Sequence, residues 1–573
     1  MSKPLFYLFA TVSALLSCGR PAPAGACTNF IVTRGASTDG TTMVSYSADS
    51  HALYGCLYKF NAPKKGYPAG STLPVYEWDT GRYLGDIAQT AHPYSTVGNM
   101  NEHSLIIGET TFGGREELAD PSGRIDYGSL IYITLQRAKT AREAIATIVE
   151  LANACGYVSE GESFSIADGE EAWIMELIGK GFEDDGQGGN ARRGIVWAAR
   201  RIPDGYVSGH ANQARITDIP LDDPDNCLHA PDVIEFAREM GYFTGSDAEF
   251  SFADAYAPLD FSGMRACEAR VWAFFRTVAD DMDRYEDYAM GRNRSNRMPL
   301  WVKPRTKVSP KQLFDAMRDH YEGTPMDMTR DLGAGGHNCP YRWRPMSFEV
   351  DGVEYVNERA TATQQTGFWF VAQARPQLPD DMGILWFGVD DAATSCLTPI
   401  YCSVTDVPTC FHEGNGSMLE YSPSSAFWLF NRVTNFAYMR YDLISADIRK
   451  AADQWENRNL DLRVPLMDLK ACELSGKKRA RYLTESSVSL AQAMFDRWSK
   501  LDKYLLIKYM DGNVKSEKGD VLSYLDADIP MSEHFTDNGN GRQIPDKIQW
   551  PGYNEKWKRA VAADNGEILK VSK

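Results

Sequence analysis

The sequence predicts a layered α+β protein with sheets inside and helices outside. Three observations point there. Short β-branched and aromatic runs joined by turn signals recur through the first two-thirds of the chain. A few amphipathic helices with cap signals interrupt them. From about residue 426 the pattern turns helical. Hairpins interleaved with helices bury their apolar faces most simply as sheets covered by helical layers.

Residues 28–33 read as a strand, and Ala36-Ser37-Thr38-Asp39-Gly40 as the turn after it, Asp39-Gly40 being a hairpin signal. Residues 41–45 form the return strand. It delivers Tyr46-Ser47-Ala48-Asp49-Ser50-His51, a polar cluster one hairpin away from Cys27. Residues 104–108 are a further strand, running into Glu109-Thr110-Thr111-Phe112-Gly113-Gly114. Glycines there suit either a close backbone approach to a ligand or a plain turn.

Residues 140–154 predict a helix with Thr140 as N-cap, Glu143 completing a capping box and Gly156 ending it. Residues 163–168 and 172–177 predict a hairpin around Gly169-Glu170, and 195–199 another strand. That strand leads to Ser208-Gly209-His210-Ala211-Asn212-Gln213-Ala214-Arg215. Helices are expected over 231–240, with Pro231 in the first turn and Gly241 past the end, over 265–275, and from Pro310 through His320. Residues 368–373 and 384–389 are apolar enough for buried central strands. The stretch from Asp511 is polar with little periodicity.

The chain has 573 residues, 43% hydrophobic, with 12% aromatics, enough for a large core and more than one domain. Its net charge is −17, and removing residues 1–26 would take away Lys3 and Arg20 and make it more negative. Such a balance repels phosphate backbones and excludes nucleic acid as a natural partner. After the N-terminal segment no stretch approaches the ~20 apolar residues of a spanning helix.

Eleven cysteines are present. Cys396, Cys402 and Cys410 lie close enough in sequence to hold a disulfide, and their number leaves at least one thiol unpaired. His337-Asn338-Cys339 contains two metal-ligand types, but no partner pair stands at suitable spacing. No metal is expected.

Residues 5–16 are apolar and follow Lys3, and Ala24-Gly25-Ala26 has the small-x-small form of a signal-peptidase site. Cleavage after Ala26 would make Cys27 the mature terminus. One residue then carries a thiol, ordinarily near pKa ~8.5, and an α-amine near ~7.7–8.0, which together are a nucleophile and a base. Export to the periplasm or outside the cell follows. Leu15-Leu16-Ser17-Cys18 resembles a lipobox and offers a rival cut that would anchor the chain at Cys18. Alternatively, Cys27 is an ordinary exported cysteine destined for a disulfide.

Several pieces match one family: Ala26-Cys27-Thr28, Asn101-Glu102, Gly108-Glu109-Thr110-Thr111, Gly161-Glu162-Ser163-Phe164 and Trp173-Ile174-Met175-Glu176. Trp197-Ala198-Ala199-Arg200-Arg201-Ile202-Pro203-Asp204-Gly205 and His210-Ala211-Asn212-Gln213-Ala214-Arg215-Ile216 continue the match. Together they resemble the C69 dipeptidases, clearly from residue 27 to 401 and loosely in the helical end. The resemblance implies an N-terminal nucleophile hydrolase built as an αββα sandwich with a helical C-terminal extension. It implies a removed leader at 1–26, the sandwich at 27–425, and a mostly helical region with a polar tail at 426–573.

It also implies hydrolysis of dipeptides by a cysteine-type mechanism, with no metal or organic cofactor. Cys27 matches the nucleophile, Asp49 an aspartate that holds the terminal amine, and Asn212 an oxyanion-hole asparagine. Arg270 matches a pocket arginine, with Arg265 the second candidate. Thr110 matches a polar pocket residue of more distant relatives. Tyr46 is a departure: relatives commonly have arginine three residues before the aspartate, so either positive charge comes from elsewhere or the thiolate is activated less. Glu109, Asp390 and Asp391 are candidates for a substrate ammonium group. His210 and His51 stand as alternative bases. Two other functions stay open: hydrolysis of an N-acyl amino acid or bile-salt-like amide, and a non-catalytic surface protein on the same fold.

Overall fold

A computed structural model describes residues 27–571 except His51 and Arg344. The leader, the Cys18 lipobox and His51 lie outside the described residues.

Two large antiparallel sheets form the centre. The first has seven strands, in the order Trp301–Val302, Val207–His210, Thr28–Val32, Thr42–Asp49, Thr366–Ala374, Ile384–Val389, Thr398–Tyr401. The second has eight, and its middle runs Ile195–Arg201, Ala172–Gly179, Gly161–Ala167, Ile106–Gly113. The sheets pack against each other. A Cβ on Gly108 of the second sheet would stand 2.2 Å from Asn29 Oδ1 of the first, so only glycine fits at that crossing.

Helices flank both sheets. Tyr127–Leu135 and Ala141–Cys155 cover the second, burying Ile131, Ile145, Ile148 and Leu151 against Ile107, Phe164, Ile166 and Trp173. Ala269–Val278 lies on the first, where Phe274 stacks on Phe30 with ring centroids 4.3 Å apart. The helices after residue 425 continue this layer. Ala426–Ala437 packs on Ile384–Val389, and the 33-residue helix Gly476–Lys508 packs on Thr398–Tyr401. Their apolar faces join the same core as the strands of the first sheet.

Local signals explain many boundaries. Thr140 caps its helix by accepting from the Glu143 N–H, although the Glu143 carboxylate reaches Lys139 N (2.7 Å) rather than the cap residue itself. Gly156 ends that helix at φ 75°. The hairpin around Gly169-Glu170 forms as expected.

Other expectations need correction. The return strand extends to Asp49 and the next to Gly113, so Tyr46, Asp49, Glu109 and Thr110 sit on strands rather than after them. Pairing within each sheet, with Thr366–Ala374 and Gly161–Ala167 respectively, carries both strands onward through their polar residues. The helix begun at Pro310 stops at Ala316 and does not reach His320; Tyr321 just beyond takes a positive φ of 64°. The polar tail contains the helix Glu555–Leu569, capped by Asn554, whose amide also holds Gly335 O. Cys396, Cys402 and Cys410 are all free thiols. Cys402 faces Ser104 and Asp380 while Cys410 faces Ala491, so tertiary packing sends neighbours in sequence to different partners.

Candidate active site

Cys27 enters the first strand at one end of the sheet crossing and is 8% exposed. Its Sγ lies 3.6 Å from the Tyr46 hydroxyl, which donates to Glu109 Oε1. Tyr46 stands opposite Asn29 on the paired strand, and the Asn29 amide holds the Glu109 carbonyl at 2.6 Å. That bond fixes the second sheet against the first beside the thiol.

Burial raises the Cys27 thiol well above its ordinary pKa, and the nearby Glu109 and Asp49 charges add to this. The Asp49 backbone N–H and the Tyr46 hydroxyl work in the opposite direction. The resting sulfur is therefore a thiol, and a base must take its proton during attack.

Arg270 organises the site. Its Nη1 donates to Cys27 O (2.6 Å) and Thr28 Oγ1 (2.8 Å); its Nη2 donates to Ala211 O (3.1 Å) and Asn212 Oδ1 (2.9 Å). Nε returns to Ala266 O in the π-helical turn Gly263–Glu268 that precedes its helix. The guanidinium is thus satisfied by neutral oxygens rather than by an ion pair. Arg265, the second candidate, is paired with Glu358.

An arginine can only donate, so its bond to Oδ1 sets the orientation of the Asn212 amide and makes Nδ2 the donor end. Nδ2 reaches Thr111 O at 2.7 Å. Asn212 holds φ 59°, a left-handed conformation that asparagine tolerates better than most residues. The loop is pinned from below by Glu176, whose carboxylate accepts from the N–H groups of Arg215 and Ile216. Burial lifts Glu176 from its ordinary 4.5 to about 7, with those N–H bonds opposing the shift.

Asp49 is fully buried. It accepts from Arg359 Nη2 (2.5 Å), Thr366 Oγ1 (2.7 Å) and Ser47 Oγ (3.0 Å). A bulge between Thr366 and Phe368 lets the partner strand bring Thr366 opposite Asp49. Cationic groups in this cluster are Arg270, on the Cys27 carbonyl, and Arg359, on Asp49, whereas the charges acting most on the thiol itself are the Glu109 and Asp49 anions. Burial, and then Arg270, lower Arg359 to about 10.

The other candidates fall elsewhere. Thr110 is buried with Oγ1 2.7 Å from His210 Nδ1, and Ser165 Oγ lies 2.7 Å from His210 Nε2. Burial drops His210 to about 3, so it is a neutral spacer between the sheets rather than a base. Asp390 accepts from Asn431 and Thr434, and Asp391 caps the turn at Ala393, so both are engaged in holding the chain. Among the described residues no group of three or more His, Cys, Asp or Glu is placed to hold a metal ion.

Two residues escaped the sequence reading. Arg359 lies in a stretch with no helical or strand period, so nothing local marked it. Glu162 sits inside one of the family-like motifs and was given no role. It stands directly across from Thr111, whose Oγ1 donates to it at 2.9 Å. A cavity of about 250 Å³ opens beside Asn212, lined in part by Phe112, Gln213, Pro258, Asp260 and Ser262.

A model of peptidase family C69 matches residues 26–454. A probable dipeptidase of Salmonella dublin is 24% identical over 62% of this chain and 76% of its own length. A probable dipeptidase of Latilactobacillus sakei is 22% identical over 75% of this chain and 85% of its own. Dipeptidase A of Lactobacillus helveticus is 21% identical over 71% and 81%.

Proposed function

The chain belongs to peptidase family C69 and is a peptide hydrolase, and from that premise we propose that it cleaves dipeptides by acyl transfer through an N-terminal Cys27. The observation that carries this reading is the Arg270 clamp. One guanidinium holds the Cys27 carbonyl and the Asn212 side chain together, although they stand 185 positions apart in the sequence. The two-sheet core with helical cover fits the αββα sandwich of N-terminal nucleophile hydrolases, with the helices after residue 425 as its extension.

The α-amine freed by cleavage after Ala26 takes the Cys27 thiol proton as sulfur attacks the peptide carbonyl. The carbonyl oxygen gains negative charge and is stabilised by the Asn212 Nδ2 donor. Such a donor is typically worth ~2.7–4 kcal/mol. Collapse breaks the C–N bond, and the ammonium of Cys27 returns its proton to the leaving amine. Water, deprotonated by the same amine, then hydrolyses the thioester and releases the thiol. Asp49, held by Arg359 and Thr366, is the anion that orients the amine. Glu109, a candidate for the substrate ammonium in the sequence, is buried at 1% exposure and accepts from Tyr46, so its charge faces the thiol side of the site.

The cavity beside Asn212 favours a dipeptide over an N-acyl substrate. It is small and partly polar, with Asp260, Gln213 and Ser262 in its wall, where a long acyl chain needs a deep apolar cleft. The leader supports export.

The decisive experiment compares protein carrying extra residues fixed before Cys27 with the same protein trimmed to begin at Cys27. An amide nitrogen has its lone pair delocalised and cannot accept the thiol proton. The extended form is expected to fold and be inactive on a dipeptide panel, and trimming to restore activity. Equal rates in both forms would remove the terminal amine from the mechanism.

A further inference from the structure

Glu109 and Glu162 form a buried carboxyl pair beside the thiol. Glu109 is 1% exposed and Glu162 fully buried. Glu109 Oε1 accepts from Tyr46, and Glu162 Oε2 accepts from Thr111. The two remaining oxygens, Glu109 Oε2 and Glu162 Oε1, are both shielded from solvent with no donor assigned to either. The strongest influences on each carboxyl are burial, the other carboxyl, Asp79, Tyr46, Cys27 and Thr111; no basic side chain is among them. Tyr127, Tyr132 and Tyr157 face the pair from the helix side and its flank, and Asp79 accepts from Tyr127 at 2.9 Å.

Two adjacent buried carboxyls with no ion pair to a basic side chain among the described residues do not both ionise; they hold one proton between them. Burial and the Glu109 charge push Glu162 well above the carboxylate range; burial raises Glu109 as well, but hydrogen bonds from Glu162 and Tyr46 oppose that shift. The proton therefore resides on Glu162.

Resting on the Cys27 reading above, we propose that Glu162 is a positioning residue for the nucleophile. Its proton joins Glu162 Oε1 to Glu109 Oε2. Glu109, kept anionic, draws the single Tyr46 hydroxyl proton to Oε1. The Tyr46 oxygen is then left as an acceptor facing Cys27 Sγ, and the thiol hydrogen is held toward it. Every hydrogen bond in the row has its direction set from Glu162. No proton leaves the row during the reaction; the thiol proton goes to the α-amine. Loss of the shared proton at high pH would put a second anion in the same buried space and disrupt the row.

The test uses protein beginning at Cys27, with Glu162→Gln, Glu162→Ala and Tyr46→Phe. Glutamine still donates to Glu109 and has no proton to lose. Turnover of a dipeptide is measured against pH, and separately the alkylation of Cys27 by iodoacetamide against pH, followed on the N-terminal peptide by mass spectrometry. Glu162→Gln is expected to keep kcat within about threefold at neutral pH and to lose the alkaline fall of the wild type. Glu162→Ala and Tyr46→Phe are expected to lose about tenfold or more in kcat with KM nearly unchanged, and to shift the alkylation profile, which Gln leaves in place. Wild-type kcat and alkylation in Glu162→Ala would overturn the proposal. So would a Gln variant as impaired as Ala while retaining the wild-type melting temperature. If Ala fails to fold, the isosteric Gln and Phe variants decide alone. A wild-type protein inactive on dipeptides would sink the catalytic reading, while the alkylation profiles would still judge the Glu162 row.

Discussion

Arg359 Nη2 lies 2.5 Å from Asp49 Oδ2, and both side chains are buried. The pair joins the second strand of the chain to a segment 310 residues later, at the point where Asp49 is held for its proposed work on the terminal amine. Removing one partner of a buried ion pair strands the other charge in a low dielectric, at a cost of ~3–5 kcal/mol. Arg359→Met is expected to lower unfolding stability by about that much in urea titrations. Asp49→Asn added to it should recover part of the loss, since the stranded anion is gone. A single Arg359→Met as stable as the wild type would show the pair to be dispensable.

Asn212→Ala tests the oxyanion donor. Turnover is expected to fall ~10²–10³-fold with KM little changed, because the donor acts on charge that develops only in the transition state. Alanine at φ 59° also strains the backbone by ~1–2 kcal/mol. Asn212→Gly avoids that strain and should lose the same turnover with less loss of stability. Unchanged kcat in the glycine variant would take Asn212 out of the site.

Glu176 carries a pH signature. Its folded pKa of about 7 lies above its ordinary 4.5, so the native state binds the proton more tightly than the unfolded state. That contribution to stability is full below about pH 4.5 and is lost as pH rises through about 7. Glu176→Gln has no such proton. The stability of the wild type relative to Glu176→Gln should decline by about 3 kcal/mol between pH 4.5 and 7.5, measured by denaturant titration. A flat difference across that range would contradict the assignment.

Hydrolysis of dipeptides is expected to survive prolonged treatment with a chelator. The described histidines serve separate structural duties, His210 between the sheets and His320 beside Glu322, rather than converging on one centre. Activity abolished by chelation and restored by zinc would refute this.

The sequence by itself determined much that is local. Alternation and turn signals placed the first hairpin, the Gly169 hairpin and the buried strands Thr366–Ala374 and Ile384–Val389. Capping chemistry marked Thr140, because a cap is decided within four residues of itself. The family resemblance singled out Cys27, Asp49, Asn212 and Arg270, and the fold brings Cys27, Asn212 and Arg270 into one hydrogen-bonded cluster. Only the tertiary structure decided what those residues touch. Arg359 carried no local period, and its role exists because the segment ahead of the strand Thr366–Ala374 lies against Asp49 in the fold. Thr110 and Glu109 are sequence neighbours, yet strand pleating and sheet packing give Thr110 to His210 and Glu109 to Tyr46. Glu162 becomes meaningful only because antiparallel register sets it across from Thr111 beside a second carboxyl. Backbone preference acts over a few residues, whereas burial, charge pairing and proton sharing depend on distances that the chain closes only when its two sheets meet.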